Sequence, residues 1–125
     1  MSTLKVGIAS YDEMKALTMA IAQGKRKLGP QEPRVWFPST ESFAKVLSGA
    51  NRKLLRVIAE HRPESLDDLE RLTGRRKSNL SRTLKTMANY GLVSLERGPR
   101  GRVIPKVMHE CIELQLPIAR EEHAA

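Results

Sequence analysis

The chain has 125 residues, 22 Lys/Arg against 14 Asp/Glu, and a net charge of +8. Hydrophobic residues make up 40% but aromatics only 4%, so one modest, mostly aliphatic core with extensions is expected. No apolar run approaches the ~20 residues that span a bilayer, and the N-terminus lacks the pattern of a signal peptide. The single cysteine, Cys111, excludes an internal disulfide and a multi-cysteine zinc site. A cytoplasmic protein is the simplest expectation.

Leu4 to Ile8 alternates and predicts a short strand. Ser10 followed by Glu13 is a capping-box pattern. It predicts a helix over Tyr11 to Gln23 with Met14, Leu17 and Ile21 on one face. Gly24 ends it, and the Gly- and Pro-rich segment to Arg34 reads as a loop. Val35-Trp36-Phe37 reads as an apolar anchor for this N-terminal extension.

Ser39 or Thr40 should cap a helix over Glu41 to Ser48, with Phe43, Val46 and Leu47 inward. A second helix, Asn51 to His61, carries Leu54, Leu55 and Ile58 and is stopped by Pro63. Ser65 caps a short helix whose Leu66, Leu69 and Leu72 should face inward, and Gly74 supplies a tight turn. The next helix, Arg76 to Tyr90, is closed by Gly91. Leu92 to Arg97 and Arg102 to Val107 flank Gly98-Pro99-Arg100-Gly101, which predicts a hairpin with a four-residue loop. Pro105 cannot donate to a ladder, so the second strand should have an open side. Ile112, Leu114 and Leu116 predict a third strand, and Pro117 to Ala125 a frayed tail.

The helix from Arg76 to Tyr90 has two stripes. Leu80, Leu84 and Met87 share one face; Ser78, Ser81, Arg82 and Lys85 share another, about 145° away at 100° per residue. One face is suited to burial, and the other offers short hydrogen-bonding and cationic groups, as a helix in the major groove of DNA requires. The charge distribution agrees. Residues 75–106 carry nine Lys/Arg against Glu96 alone, a local +8 equal to the surplus of the whole chain. Arg82 is long enough to fork onto guanine, and Asn79 suits adenine. Ser78, Ser81 and Lys85 suit phosphates or base edges. Arg75, Arg76 and Lys77 sit where a helix dipole attracts phosphate. Arg97, Arg100 and Arg102 place charge on the hairpin, with Arg100 at the tip to clamp backbone or enter a minor groove.

Nothing else offers a competing chemistry. His61, His109 and His123 are scattered without metal-ligand spacing, and the acid pairs Asp67/Asp68 and Glu121/Glu122 lie in a helix first turn and the tail. Gly24-Lys25 lacks the rest of a phosphate loop. No enzyme, cofactor or metal is expected.

The run from Leu69 to Val103 resembles the winged helix-turn-helix of MarR/ArsR-like prokaryotic transcription regulators. The recurrent pattern stands here as Ser78, Ser81, Arg82, Leu84, Met87, Gly91, Leu92 and Val93, with Met87 in place of the usual leucine. The wider chain is similar to a family of small DNA-binding proteins of bacteria and archaea, through Val35 to Ser39 and Ile112 to Leu116. Some of those relatives are antitoxins encoded beside a small toxin. The resemblance implies recognition-helix contacts at Ser78, Asn79, Ser81, Arg82 and Lys85 and a wing tip at Arg100. Arg76 stands where relatives often carry a Ser or Thr cap.

The expectation is an α+β protein: an N-terminal strand–helix extension (1–38) for dimerisation or partner binding, a winged helix-turn-helix (39–107) and a C-terminal strand and tail (108–125). Its expected role is sequence-specific binding of double-stranded DNA as a transcriptional regulator, acting as a homodimer without a membrane partner, with an autoregulating antitoxin and its cognate toxin as the narrower version. A winged-helix interaction module for an acidic partner is the alternative. RNA binding ranks lower, because Tyr90 is the only aromatic in 75–106.

Overall fold

The alternating N-terminal segment forms β1 (Thr3–Ile8), and the capping box starts α1 (Tyr11–Ala22) directly after it. The Ser10 hydroxyl accepts from the Glu13 amide at 3.2 Å, and the Glu13 carboxylate accepts from the Ser10 amide at 2.9 Å. Val35-Trp36-Phe37, expected as an anchor, is a strand, β2 (Val35–Phe37), parallel to β1. Then come α2 (Thr40–Val46), α3 (Gly49–His61), α4 (Leu66–Thr73) and α5 (Lys77–Asn89). A hairpin of β3 (Val93–Arg97) and β4 (Val103–Val107) follows, and β5 (Cys111–Gln115) ends the regular structure. This computed structural model describes residues 2–119; His123, Glu121, Glu122 and most of the expected tail lie outside the described residues. Among the described residues the architecture is α+β: five α-helices, a parallel three-stranded sheet and a separate hairpin.

The chain divides into two units. One combines Thr3–Lys45 with the described part of Cys111–Ala125. Its sheet has the order β2-β1-β5, with Val6 opposite Val35 on one side and opposite Leu114 on the other. The third strand expected near the C-terminus therefore exists, but it pairs with β1 and not with the hairpin. Leu4, Val6, Ala9, Leu17 and Phe37 are buried, and the Phe37 and Phe43 rings meet edge to face at 5.2 Å. Ile21, expected inward, is 39% exposed in the last turn of α1. The loop before β2 is tied down. Glu32 accepts from the Gly29 amide at 2.6 Å and pairs with Arg26, and the Gly29 amide above all holds its carboxyl below the usual range. That contribution is complete above the ordinary carboxylate pKa and is lost as pH falls through the lowered one.

The other unit is Ser2 with Val46–Glu110. Its core is aliphatic: Leu54 and Ile58 from α3, Leu69 from α4, Leu80, Leu84 and Met87 from α5, then Leu92, Val93 and Pro105. Each helix start is capped as its sequence suggests where a serine is present. Ser48 accepts from the Asn51 amide at 3.2 Å, so α3 begins two residues earlier than expected, and Ser65 accepts from the Asp68 amide at 3.0 Å. Helix α5 ends in a Schellman motif: Gly91 takes φ 74°, its amide donates to Ala88 and that of Leu92 to Met87, both at 3.0 Å. Leu72 is 42% exposed, contrary to expectation. Leu66 and Leu72 lie about 120° apart around the helix with Leu69 between them, so only the middle position is fully covered.

Gly7 faces Trp36 across the β1–β2 ladder, and a Cβ there would stand 2.5 Å from the indole ring. Gly7→Ala should therefore destabilise the protein by about 1–3 kcal/mol through overpacking. Urea unfolding measures this, and an unchanged midpoint would count against the close packing.

Candidate nucleic-acid interface

Gly74, at φ 75°, ends α4 and lets the chain turn into α5 within three residues. Arg76 is the N-cap of α5 and makes no side-chain cap bond, since a guanidinium has no acceptor to offer an amide. The cap comes from the preceding helix instead. The Glu70 carboxylate accepts from the Lys77 amide at 2.9 Å, and Asp67 pairs with the Lys77 ammonium at 2.9 Å. Acids of α4 thus meet the positive end of α5 and satisfy one of its orphan amides.

Arg75 is half-buried and binds inward. Its guanidinium donates to Asn79 Oδ1 at 2.9 Å, to Asn51 Oδ1 at 3.1 Å and to Thr83 Oγ1 at 3.2 Å. Asn51 in turn donates to the Val46 carbonyl at 3.1 Å. One arginine therefore ties α3 to α5. Arg75 and Asn79, both read from the sequence as outward contacts, hold each other, and Asn79 keeps only its amide nitrogen and one lone pair for anything outside.

The other site residues divide by exposure. Arg76, Ser78, Arg82 and Lys85 are exposed on α5, Ser81 is half-buried beside them, and Leu80, Leu84 and Met87 are at most 1% exposed on the covered face. On the hairpin, Glu96 pairs across the strands with Lys106 at 3.1 Å, while Arg97, Arg100 and Arg102 are exposed. The loop has five residues and includes Arg102, because the Gly98 amide donates to the Arg102 carbonyl at 2.8 Å before β4 begins. At the tip Arg100 and Gly101 both take left-handed backbone, with φ 61° and 72°.

Three of the nine cations in 75–106 are thus engaged: Arg75, Lys77 and Lys106. Arg76, Arg82, Lys85, Arg97, Arg100 and Arg102 have no carboxylate partner among the described residues. Such a face attracts a polyanion, because each cation is solvated and available. Among the described residues no cluster of His, Cys, Asp or Glu is arranged to hold a metal, and no helix is long and apolar enough to cross a membrane. His109 lies 2.7 Å from the Ser2 hydroxyl and far in sequence from His61. Sequence reasoning missed the Glu70 cap and the inward turn of Arg75. Their partners lie seven and 24 positions away, beyond helical spacing.

Arg75→Ala should lower unfolding free energy by about 1–3 kcal/mol, since two half-buried acceptors, on Asn51 and Thr83, lose a charged donor. Arg75→Lys should not restore it, because an ammonium cannot span three acceptors in a fixed plane. Arg82→Ala, an exposed change, should cost under about 0.5 kcal/mol. Equal urea midpoints for Arg75→Ala and Arg82→Ala would refute the inward role.

No curated protein and no solved structure matches the chain. A family model described as HVO_A0114 matches residues 46–114, which runs from the end of α2 through the three helices and the hairpin into β5. The match covers more than half of the sequence and contains every residue of the cationic face. The chain belongs to the HVO_A0114 family.

Proposed function

We propose that helices α3 to α5 and the β3–β4 hairpin act as a winged helix-turn-helix that binds double-stranded DNA. In this reading α5 enters the major groove, and the hairpin tip lies on the adjacent backbone or minor groove. The observation that carries it is the set of six cations, on the exposed side of α5 and on the hairpin, that have no carboxylate partner among the described residues, behind which the apolar stripe of α5 is fully buried. Arg82 is the base-reading residue. Ser78, Ser81 and Lys85 are its neighbours on phosphates or base edges, and Arg76, Arg97, Arg100 and Arg102 contact phosphate. Lys77 stays with Asp67, and Arg75 and Asn79 act mainly by holding α5 in place.

One recognition helix covers few base pairs, so a homodimer on a palindrome supplies the specificity of a transcriptional regulator. Exposed Tyr11, Met19 and Ile21 on α1 make the N-terminal unit the candidate for dimerisation or for a partner such as a cognate toxin. The antitoxin version is the narrower form of the same proposal.

Fluorescence anisotropy with a duplex from the gene's own upstream region, and with a scrambled duplex, tests the reading. Affinity should fall steeply with salt, with a log–log slope of about −4 to −5 per protomer if Lys85 joins the four phosphate-contacting arginines. Arg82→Ala should lose about 1–3 kcal/mol of discrimination between the two duplexes. Full discrimination by that variant would remove Arg82 from the bases. No salt-sensitive duplex binding at all would favour the alternative, an interaction module for an acidic partner.

A further inference from the structure

A groove of about 770 Å³ lies between the C-terminal end of α3 and the hairpin, wholly within one unit. Ala59, Pro99, Ile104 and Val107 give it an apolar lining that water reaches. Four charged residues line it as well: Arg62, Glu64, Arg102 and Lys106. Lys106 is paired with Glu96 at 3.1 Å, whereas Arg62 and Arg102 have no carboxylate partner among the described residues. The groove therefore combines an apolar bed with two available guanidiniums, in a lining whose three cations outnumber its one carboxylate, Glu64.

Arg62 owes its place beside the groove to the way α3 ends. It is the C-cap of α3 and takes left-handed backbone at φ 48°, ψ 57°, where glycine is the unstrained choice. The conformation closes α3 directly ahead of Pro63, with the Arg62 amide donating to the Ile58 carbonyl at 3.0 Å. Here it holds the one residue that brings a free cation to the α3 side of the groove. The volume lies in the range of small-molecule sites, and such sites are mostly apolar with a few polar groups that fix orientation. A guanidinium matches a carboxylate in planar, two-point geometry.

We propose that this groove binds a small amphipathic carboxylate, its apolar body on Ala59, Ile104 and Val107 and its carboxylate on Arg62 and Arg102. Because Arg102 also belongs to the cationic face, a bound carboxylate withdraws one cation from DNA. This regulatory part rests on the DNA-binding reading; the carboxylate site does not.

The probe is sodium octanoate, titrated into the full-length protein without DNA and followed by amide chemical shifts and calorimetry. Saturable binding with shifts at Ala59, Arg62, Ile104 and Val107 is expected. Arg62→Gly, which suits the left-handed backbone, and Ala59→Glu, at an exposed helix position, should each weaken it about tenfold. Both should unfold at or above the wild-type temperature or within a degree or so of it. No saturation, wild-type affinity in both variants, or equally tight binding of 1-octanol would overturn the site. Tighter binding of an alternating Leu/Glu peptide at the same residues would overturn it in favour of a protein partner. With duplex present, octanoate should weaken DNA binding of the wild type and leave Arg62→Gly unaffected. If both ligands bind without competing, the regulatory part fails and the carboxylate site stands. If the duplex never binds, the octanoate titration still decides the site.

Discussion

Helix α5 can bury only one of its faces, and which face it buries decides the rest of its unit. Leu80, Leu84 and Met87 are almost wholly covered, in a core that also holds residues of α3, α4 and the hairpin. Burial of three such side chains is worth several kcal/mol, on the order of 1.5–3 kcal/mol each. A rotation of α5 by even one position would expose part of that stripe. The helix is therefore held in rotation by its apolar residues, and Ser78, Arg82 and Lys85 face outward as a consequence. Polar contacts then refine the placement. Arg75 ties α5 to α3, and Glu70 caps its first turn from α4.

These refinements change how the cationic face works electrically. A bare helix N-terminus attracts anions through its dipole and free amides. In α5 a carboxylate already occupies one of those amides, and a second acid neutralises Lys77. The attraction to a polyanion thus lies further along the helix, at Arg82 and Lys85, and on the hairpin. Lys106 is likewise offset by Glu96. The nine cations counted along 75–106 reduce to six that act at a distance, which narrows the face and moves its centre away from the helix start.

Much of this was legible from residue spacing, because the relevant physics is local. The α5 stripe follows a 3.6-residue period, the capping box at Ser10 needs only Glu13, and the hairpin is marked by Gly98 to Gly101. What escaped was non-local. Thr3 pairs with Cys111 in a parallel ladder, and parallel strands have no tight turn to announce them. The inward turn of Arg75 depends on Asn51, a residue of another helix. Leu72 misled for a different reason: three leucines at threes drift around the helix, so a run that looks like one face spreads over a third of the circumference.

The hairpin tip has a consequence of its own. Arg100 and Gly101 are both in the left-handed region, and the loop is closed by the Gly98 amide on the Arg102 carbonyl and the Arg102 amide on the Pro99 carbonyl. Pro99 adds a fixed φ. A free loop of this length would forfeit about 1–2 kcal/mol of conformational entropy per residue on being ordered against a surface. This one forfeits most of that when the chain folds, so whatever meets the tip meets a backbone already held in shape, from which Arg100 and Arg102 project.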